Sequence, residues 1–424
     1  MVKHKKSILD SGLRLVTQNM PHSESVSIFI SIKAGSRDET RDEFGVAHFS
    51  EHMLFKGTKD RPSPLLVTSP IESTGGMLNA STGYESTTYW CKIPKNDFSI
   101  GIEILLDMIQ NSLLKEDDID SERGVIIEEI KSIEDYPDSK AALNLDKLMW
   151  GNNALGRDIA GSMQSVANIT QETISSFIKN FYLPTNTVVS IAGNIDHDTL
   201  IQSVDQSLLI HPLTGYQPKF SSIKVVQNSV RLDIEERDIE QIHIHIGYPG
   251  VSRNHPDRYS LDILDVILGD GMSSRLFQEI RERLGLVYDI ESGITHLQDV
   301  GDFRITLAVD KNKYIDAIKA VLIEVENLKT KLEDSEVVRA KRILKGRMGL
   351  RMDDSQAVAA WNAQQELFNK RIVSESVIRK HIDEHDISTL QKAASQYLDI
   401  SKLNIAIVGD IESKEPILNS IAHL

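Results

Sequence analysis

Cysteine, long apolar runs and an excess of positive charge are what this sequence lacks, and each absence excludes a class of protein. Cys91 is the only cysteine among 424 residues, which excludes a disulfide within the chain and any cysteine-based metal site. No apolar run approaches the roughly 18 residues that a membrane-spanning helix needs. The basic start, MVKHKKSILDSG, lacks the apolar segment of a secretory signal. We therefore expect a cytoplasmic protein without a membrane partner.

The charge balance is acidic, with a formal net charge of −15 and a pI near 5.4. Binding to nucleic acid depends on clustered lysine and arginine that neutralise phosphates. This balance therefore argues against nucleic acid as a partner. A chain of 424 residues is also too long for one hydrophobic core, so it predicts two or more domains.

Two strand-like phrases of the sequence each have a counterpart in the second half. The buried apolar strand predicted at Thr187–Asp196 (TVVSIAGNID) is matched 216 residues later by Leu403–Ile411 (LNIAIVGDI). The alternating apolar residues of Ser25–Ala34 predict a half-buried strand, and Ile242–Gly250 has a similar pattern in the second half. Two copies of one unit is the economical interpretation.

The boundary between the copies is expected at Pro212–Ser222, where proline, glycine and serine collect and periodicity stops. The predicted domains are therefore 1–212 and 223–424. In the second copy, His243 and His245 lie two apart on a predicted strand and so share a face. They could form a metal pair, but without a third ligand nearby we expect them to line a solvated face of the sheet.

The first copy contains a candidate metal motif, GVAHFSEHMLFKGT. His48 and His52 are four residues apart, so on a helix both imidazoles leave the same face about one turn apart. Glu51 lies at the edge of that face, where a carboxylate can reach a water held by a metal. The order H-x-x-E-H is the inverse of the commoner zinc-protease motif. The alternative is a surface helix with a chance pair of histidines.

A third ligand is sought because catalytic zinc takes three protein ligands and leaves one position open. In the predicted helix LLKEDDIDSERGVIIEEIKSIED, helical phase places Glu129 and Glu122 on the apolar stripe and Glu128 on the solvent face. A buried carboxylate is costly unless it is paired, protonated or bound to a metal. Glu129 is therefore the best candidate ligand, and Glu122 a carboxylate that orients a ligating histidine. Alternatively, both are partly exposed residues of an ordinary charged helix.

Taken together, three motifs resemble one known family. HFSEHMLFKGT is followed, 77 residues after His52, by Glu129 within ERGVIIEEI, and the second half adds GDGMSSRLFQEIRERLGLVYD at Gly269–Asp289. This combination resembles the inverzincin metallopeptidases of the pitrilysin, insulin-degrading enzyme and mitochondrial processing peptidase family. The length is similar to that of its half-size, bacterial-type members. The resemblance covers almost the whole chain.

The resemblance implies a fold and a zinc chemistry. The fold would be α+β, with two homologous domains, each a mainly antiparallel sheet packed with helices, that form half of a clam-shell chamber. One Zn²⁺ per chain would be held by His48, His52 and Glu129. Glu51 would act as general base towards a zinc-activated water that attacks the scissile carbonyl of a peptide or unfolded polypeptide.

The family also implies residues that handle the substrate, and a partner. Arg281 and Tyr288 match its arginine and tyrosine seven apart, with Tyr288 nearest the developing oxyanion and Arg281 on a substrate carbonyl. Asn79 and Ala80 fall where the family presents an edge strand to the substrate backbone, although Gly75-Gly76 and Asn79 also fit a plain hairpin. Half-size members build the site from two chains, which implies a homodimer with composite sites.

Two other interpretations and one departure remain. The chain could be a non-catalytic family member acting as a structural subunit, or a peptide-binding protein that retains zinc and turns over slowly. The presence of the complete set of metal, base and substrate residues disfavours the first of these. Ser63–Pro70 carries prolines where the family runs a helix, and Pro70 is expected to interrupt it.

Overall fold

The computed structural model describes residues 4–207, 222–411 and 413–422. Two compact units divide the chain, and neither is contiguous. The first unit is Met1–Ile130, Asp158–Phe220 and Gly349–Val373, and the second is Lys131–Arg157, Ser221–Met348 and Ser374–Leu424. Each unit thus takes one segment from the other half of the sequence, in contrast to the contiguous ranges 1–212 and 223–424. All but the last residue of the predicted boundary, 212–222, lies outside the described residues.

The first unit is built on a six-stranded sheet with the order β1-β2-β6-β3-β5-β4. Its strands are β1 Lys5–Ile8, β2 Arg14–Asn19, β3 Ser25–Ile32, β4 Met77–Thr82, β5 Thr87–Pro94 and β6 Thr187–Gly193. Only β2 and β6 pair in parallel, and every other neighbouring pair is antiparallel. β4 is therefore an edge strand, and its outer side has no neighbouring strand among the described residues.

Helices cover both faces of this sheet. They are α1 Val46–Leu54, α2 Pro64–Glu72, α3 Phe98–Asn111, α4 Glu116–Asp135, α6 Met163–Asn168, α7 Gln171–Phe181, α8 His197–Ser207 and α12 Ser355–Asn369. Alternation predicted a half-buried strand at 25–34, but β3 is buried on both sides. The reason is α12: the Ser355 hydroxyl lies 2.9 Å from that of Ser27, and Phe29 packs in one cluster with Val358 and Ala359.

The second unit is built on a five-stranded sheet with the order β7-β11-β8-β10-β9. Its strands are β7 Arg231–Glu236, β8 Gln241–Gly250, β9 Val287–His296, β10 Gly301–Asp310 and β11 Asn404–Gly409. Its helices are α5 Pro137–Trp150, α9 Arg258–Leu268, a π-helical segment Phe277–Arg283, α10 Tyr314–Thr330, α11 Asp334–Arg351, α13 Glu375–Asp383, α14 Ile387–Tyr397 and α15 Glu415–Ala422. The architecture confirms the predicted α+β class.

The strand order repeats between the sheets. Without β1, the first sheet has the order β2-β6-β3-β5-β4, and the second has the order β7-β11-β8-β10-β9. If the five strands of each sheet are numbered along the chain, both orders read 1-5-2-4-3. A duplication produces this correspondence. In each sheet the helix that covers one face comes from the other half of the chain, α12 in the first unit and α5 in the second.

The expectation of a solvated face at His243 and His245 is wrong, because α5 covers it. His245 is buried, and its Nε2 lies 3.0 Å from the carboxylate of Asp138, in the first turn of α5. The Nδ1 of His243 lies 3.7 Å from the same carboxylate. Both histidines therefore help to seat α5 on the sheet.

Pro70 does not interrupt its helix: α2 runs from Pro64 to Glu72 with Pro70 inside. Proline removes the hydrogen bond to the carbonyl of the fourth residue before it, which here is Leu66. Only Ile71 and Glu72 follow Pro70 in the helix, so the lost bond lies near its C-terminal end. No helix among the described residues is both long enough and apolar enough to cross a membrane.

Gly45, the residue before α1, has a left-handed backbone with φ of +93°. A Cβ atom there would lie 2.7 Å from the Ala160 carbonyl oxygen. Gly45→Ala is therefore expected to destabilise the protein by about 1–3 kcal/mol through backbone strain, measured as the shift of the urea midpoint.

The matched control is Gly124→Ala, in the middle of α4, where a Cβ meets no atom within 4 Å. This variant should gain about 0.5–1 kcal/mol, because alanine loses less backbone entropy than glycine in a helix. Equal effects of the two substitutions would contradict the assignment of strain to Gly45.

Candidate metal centre

The helix that carries the motif is fixed at its start by a buried carboxylate. One oxygen of Glu39 accepts the backbone N–H of Gly45 at 3.0 Å and the other accepts that of Ala47 at 2.9 Å. These bonds satisfy two donors that a helix N-terminus otherwise leaves free, and they place negative charge at the positive end of the helix dipole. These bonds fix the N-terminal end of α1, directly before the candidate ligand His48.

The two faces of α1 differ in composition. Phe49 and Met53 are fully buried in the core of the first unit, while His48, Glu51 and His52 are partly exposed on the other side. The Nε2 atoms of His48 and His52 lie 3.2 Å apart. The geometry expected of an i, i+4 histidine pair on a helix is present.

Glu129 completes a group of three. Its carboxylate oxygens lie 3.8 Å from His48 Nε2 and 3.7 Å from His52 Nε2, and the three candidate ligand atoms all fall within 4.8 Å of one another. Tetrahedral zinc with bonds of about 2.0–2.1 Å separates its ligand atoms by about 3.4 Å. The residues therefore fit a zinc ion without a large rearrangement.

The choice between the two neighbouring glutamates agrees with helical phase. Glu128 is exposed, whereas Glu129 is partly buried on the side of α4 that faces α1. Arg123 holds this helix in place by donating to the carbonyl oxygens of Val166 at 2.6 Å and Ile169 at 2.9 Å. Glu129 is thus carried by an anchored helix.

Glu122, one heptad earlier on α4, contacts a candidate ligand directly. Its side chain is almost fully buried, and one oxygen lies 2.9 Å from His52 Nδ1. Its other oxygen forms an ion pair with Lys56. A carboxylate in this place holds the Nδ1 proton of His52 and leaves Nε2 with its lone pair towards the ligand group.

The two imidazoles differ in their electrostatics. Burial and the neighbouring His52 lower the pKa of His48 to about 4. For His52, burial lowers the pKa, but the hydrogen bond and charge of Glu122, with the charges of Glu129 and Glu51, outweigh it and raise the pKa above its ordinary value. Protons therefore compete with a metal chiefly at His52, while His48 stays neutral and available down to strongly acidic pH.

Glu51 is placed beside the ligand group without belonging to it. Burial raises its pKa above the ordinary range of a glutamate. The Thr82 hydroxyl donates a hydrogen bond to its Oε2, and Thr82 is the last residue of β4. The edge strand therefore positions the carboxylate, and a raised pKa suits a group that both takes up and releases a proton.

An open cavity of about 300 Å³ adjoins these groups, lined by Glu51, His52, Phe55, Lys56, Pro64, Asn79 and Glu122. Asn79 and Ala80 both lie on β4, with Asn79 exposed and Ala80 partly buried. The backbone N–H of Ala80 donates to the Asn79 side-chain oxygen at 2.8 Å. The strand that supports Glu51 thus also borders the cavity.

Arg281 and Tyr288 lie in the second unit and contact each other. Arg281 belongs to the π-helical segment, and its guanidinium lies 5.3 Å from the centre of the Tyr288 ring and 4.5 Å from that of Phe277. Tyr288 falls where the register of β9 against β10 shifts, and its side chain is 79% exposed. Bulges of this kind re-aim a side chain away from the sheet.

Sequence reasoning missed three supporting residues, Glu39, Thr82 and Lys56. For Lys56 the sequence did hold a signal, because Lys56 follows His52 by four residues. In the structure both side chains contact Glu122. Glu39 and Thr82 have none in the sequence, since each contact depends on how distant segments pack.

Family models and related proteins place these residues in context. Residues 14–163 match a model described as insulinase, peptidase family M16, and residues 168–344 match one described as the peptidase M16 inactive domain. An uncharacterized zinc protease of Streptomyces coelicolor is 35% identical over 360 residues, which are 84% of this chain and 78% of that protein.

Solved structures show the same fold. A crystal structure of a protease from Helicobacter pylori has a TM-score of 0.91 at 23% identity, covering 96% of this chain and 100% of that one. A peptidase M16 inactive domain from Pseudomonas fluorescens has a TM-score of 0.88 at 19% identity, covering 97% and 99%. On the strength of its curated relatives and the two matched models, the chain belongs to the insulinase family, peptidase family M16, and its length fits a half-size member.

Proposed function

We propose that the protein is a zinc-dependent endopeptidase that hydrolyses peptides or unfolded protein segments within an enclosed chamber. The observation that carries this proposal is the convergence of His48, His52 and Glu129, with Glu51 beside them as an additional carboxylate. The three ligands would hold one Zn²⁺, which supplies Lewis-acid chemistry that activates water when bound. Glu51 is then not needed as a metal ligand, and its carboxylate is free to accept and donate protons.

In this proposal Glu51 accepts a proton from the attacking water and delivers it to the departing amide nitrogen. The hydrogen bond from Thr82 occupies Oε2 and leaves Oε1 for the water. Negative charge grows on the former carbonyl oxygen, and donors aimed there stabilise the transition state more than the substrate. Tyr288 is proposed as that donor and Arg281 as a donor to a substrate carbonyl.

The substrate backbone is proposed to add to β4. An extended peptide that pairs with an edge strand is recognised through main-chain hydrogen bonds and tolerates many sequences. The backbone N–H of Ala80 is proposed to donate a hydrogen bond to the substrate backbone. For this, its hydrogen bond to the Asn79 side chain would have to open. Such recognition suits peptides and unfolded segments rather than one folded partner.

A homodimer with composite sites is proposed, because one chain carries both sets of residues. Glu51→Gln and Tyr288→Phe should each be inactive as homodimers. After subunit exchange, the mixed dimer has one site with an intact Glu51 and an intact Tyr288 from opposite chains, so part of the activity should return, measured on an unstructured peptide. No recovery in a mixed dimer verified by mass would contradict the composite site.

A non-catalytic subunit is the second candidate. It is supported by the match of residues 168–344 to a model described as an inactive domain, but none of the proposed metal ligands lies in that range. The test is zinc content together with cleavage of an unstructured peptide before and after removal of metal by a chelator. Zinc with no cleavage would favour the second candidate, and absence of zinc would remove the first.

A further inference from the structure

We propose that Lys56 is a positioning residue of the zinc centre, which acts on His52 through Glu122. This inference rests on the proposed zinc chemistry and extends it to a residue that touches neither a metal ligand atom nor the reacting bond. It starts from a chain of three contacting side chains: the imidazole of His52, the carboxylate of Glu122 and the ammonium of Lys56.

The two ends of this chain come from one short stretch of backbone. Lys56 follows His52 by four residues, just beyond the end of α1, and its backbone N–H donates to the Met53 carbonyl at 3.1 Å. Both side chains reach across to α4 and contact different oxygens of Glu122. A carboxylate held at both oxygens by neighbours on one segment has little freedom to rotate.

Burial makes the cation necessary. The Glu122 side chain is 7% exposed and that of Lys56 24% exposed. A buried carboxylate that loses its partner keeps the full cost of desolvation. Without Lys56, one oxygen of Glu122 loses its partner and the carboxylate is expected to turn towards solvent, so that it no longer holds the imidazole of His52 through Nδ1.

The two histidines do not share this support. The Nδ1 atom of His48 is buried and has no hydrogen-bond partner among the described residues. Of the two histidines, His52 is therefore the one held at Nδ1 by a carboxylate, and Lys56 acts on that carboxylate. Removal of hydrogen-bond partners of this kind lowers metal affinity by about 10–100-fold.

The charge of Lys56, considered alone, predicts the opposite change in zinc affinity. Lys56 is a cation beside a site for a divalent cation, so its removal would by itself strengthen zinc binding. Positioning predicts weaker binding. The direction of the change in zinc affinity therefore decides between the two effects.

The experiment measures the zinc dissociation constant of the full chain by competition with a chromophoric chelator. Lys56→Met is expected to weaken zinc binding by about 10-fold, and Lys56→Arg, which keeps the charge and the donors, to restore most of it. Lys95→Met is the control, because Lys95 pairs at 2.9 Å with the exposed Glu24 and should leave zinc affinity unchanged.

A double-mutant cycle tests the route of the effect. Glu122→Gln should weaken zinc binding, and Lys56→Met added to it should cause no further loss. If Lys56→Met does not fold, Lys56→Gln replaces it with the same expected direction, since a neutral amide loses the charge-assisted bond.

The outcomes separate the two proposals. If the wild-type protein binds no zinc, the proposed function fails. If the wild type binds zinc and Lys56→Met binds it equally or more tightly, only the positioning role of Lys56 is overturned. An effect of Lys56→Met that is undiminished in the Glu122→Gln background would also overturn it, because Lys56 would then act by another route.

Discussion

Glu51→Gln is expected to lower kcat for an unstructured peptide by about 10²–10⁴-fold, the usual contribution of a general base, and to leave zinc content unchanged. Glutamine has nearly the same shape and can still accept the hydrogen bond from Thr82, but it cannot take up a proton. The side chain is not among the three that converge as ligands, so zinc should still occupy the site in Glu51→Gln. The measurements are single-turnover kinetics and zinc content for both proteins.

The matched control for this substitution is Glu72→Gln. Glu72 is exposed at the end of α2 in the same unit, and its replacement changes the net charge by the same amount. It should leave kcat within the error of wild type. If Glu51→Gln cleaves the peptide at the wild-type rate with zinc bound, the proton-transfer role assigned to Glu51 is wrong.

The position of Glu51 suggests how, in the proposed mechanism, the general base would be coupled to substrate binding. Thr82 closes the edge strand β4 and holds the base by a hydrogen bond, while Asn79 on the same strand borders the adjoining cavity. A peptide that pairs with this strand would therefore be positioned relative to Glu51 by a single rigid element. Precision of this kind comes from a strand of a central sheet rather than from a mobile loop.

Helical phase was sufficient to predict which glutamate lies near the histidines. The stripe that contains Ile126 and Ile130 is buried, Glu129 is partly buried with it and Glu128 is exposed. This succeeded because α4 is one continuous helix of 20 residues, so its phase does not drift. Spacing within α1 was readable for the same reason.

Contacts between distant segments could not be predicted. The burial of both faces of β3 depends on α12, a helix more than 300 residues later in the sequence, and alternation within 25–34 holds no information about it. The solvated face expected at His243 and His245 failed in the same way, since α5 covers it. In both cases a segment of one half packs on the sheet of the unit built mainly from the other half.

The interruption of the helix expected at Pro70 does not occur. Proline excludes one hydrogen bond and crowds the preceding turn, yet α2 accommodates it near its C-terminal end, where only two further residues follow. The family of the chain could be identified from sequence because each of the three motifs is a short contiguous segment that can be recognised without knowledge of the packing. Their supports, Glu39 and Thr82, belong to packing and appeared only in three dimensions.

Glu129→Gln is expected to weaken zinc binding by more than about 100-fold, because loss of an outer partner already costs about 10–100-fold and Glu129 is a proposed direct ligand. The substitution keeps size and removes the charge whose oxygens lie 3.7–3.8 Å from the two imidazole Nε2 atoms. Competition with a chromophoric chelator measures the dissociation constant for zinc. Peptide cleavage should fall in parallel and recover partly at high zinc concentration.

Glu128→Gln is the matched control, since it makes the same chemical change at the adjacent position of α4. Glu128 is exposed and leaves the helix about 100° away from Glu129, so zinc affinity and cleavage should stay at wild-type values. A loss of affinity in Glu128→Gln equal to that in Glu129→Gln would mean that only the overall negative charge of α4 attracts the metal. Distinct results would instead require a directional bond from one carboxylate, because two neighbouring charges on one helix differ little in their long-range attraction but differ by about 100° in direction.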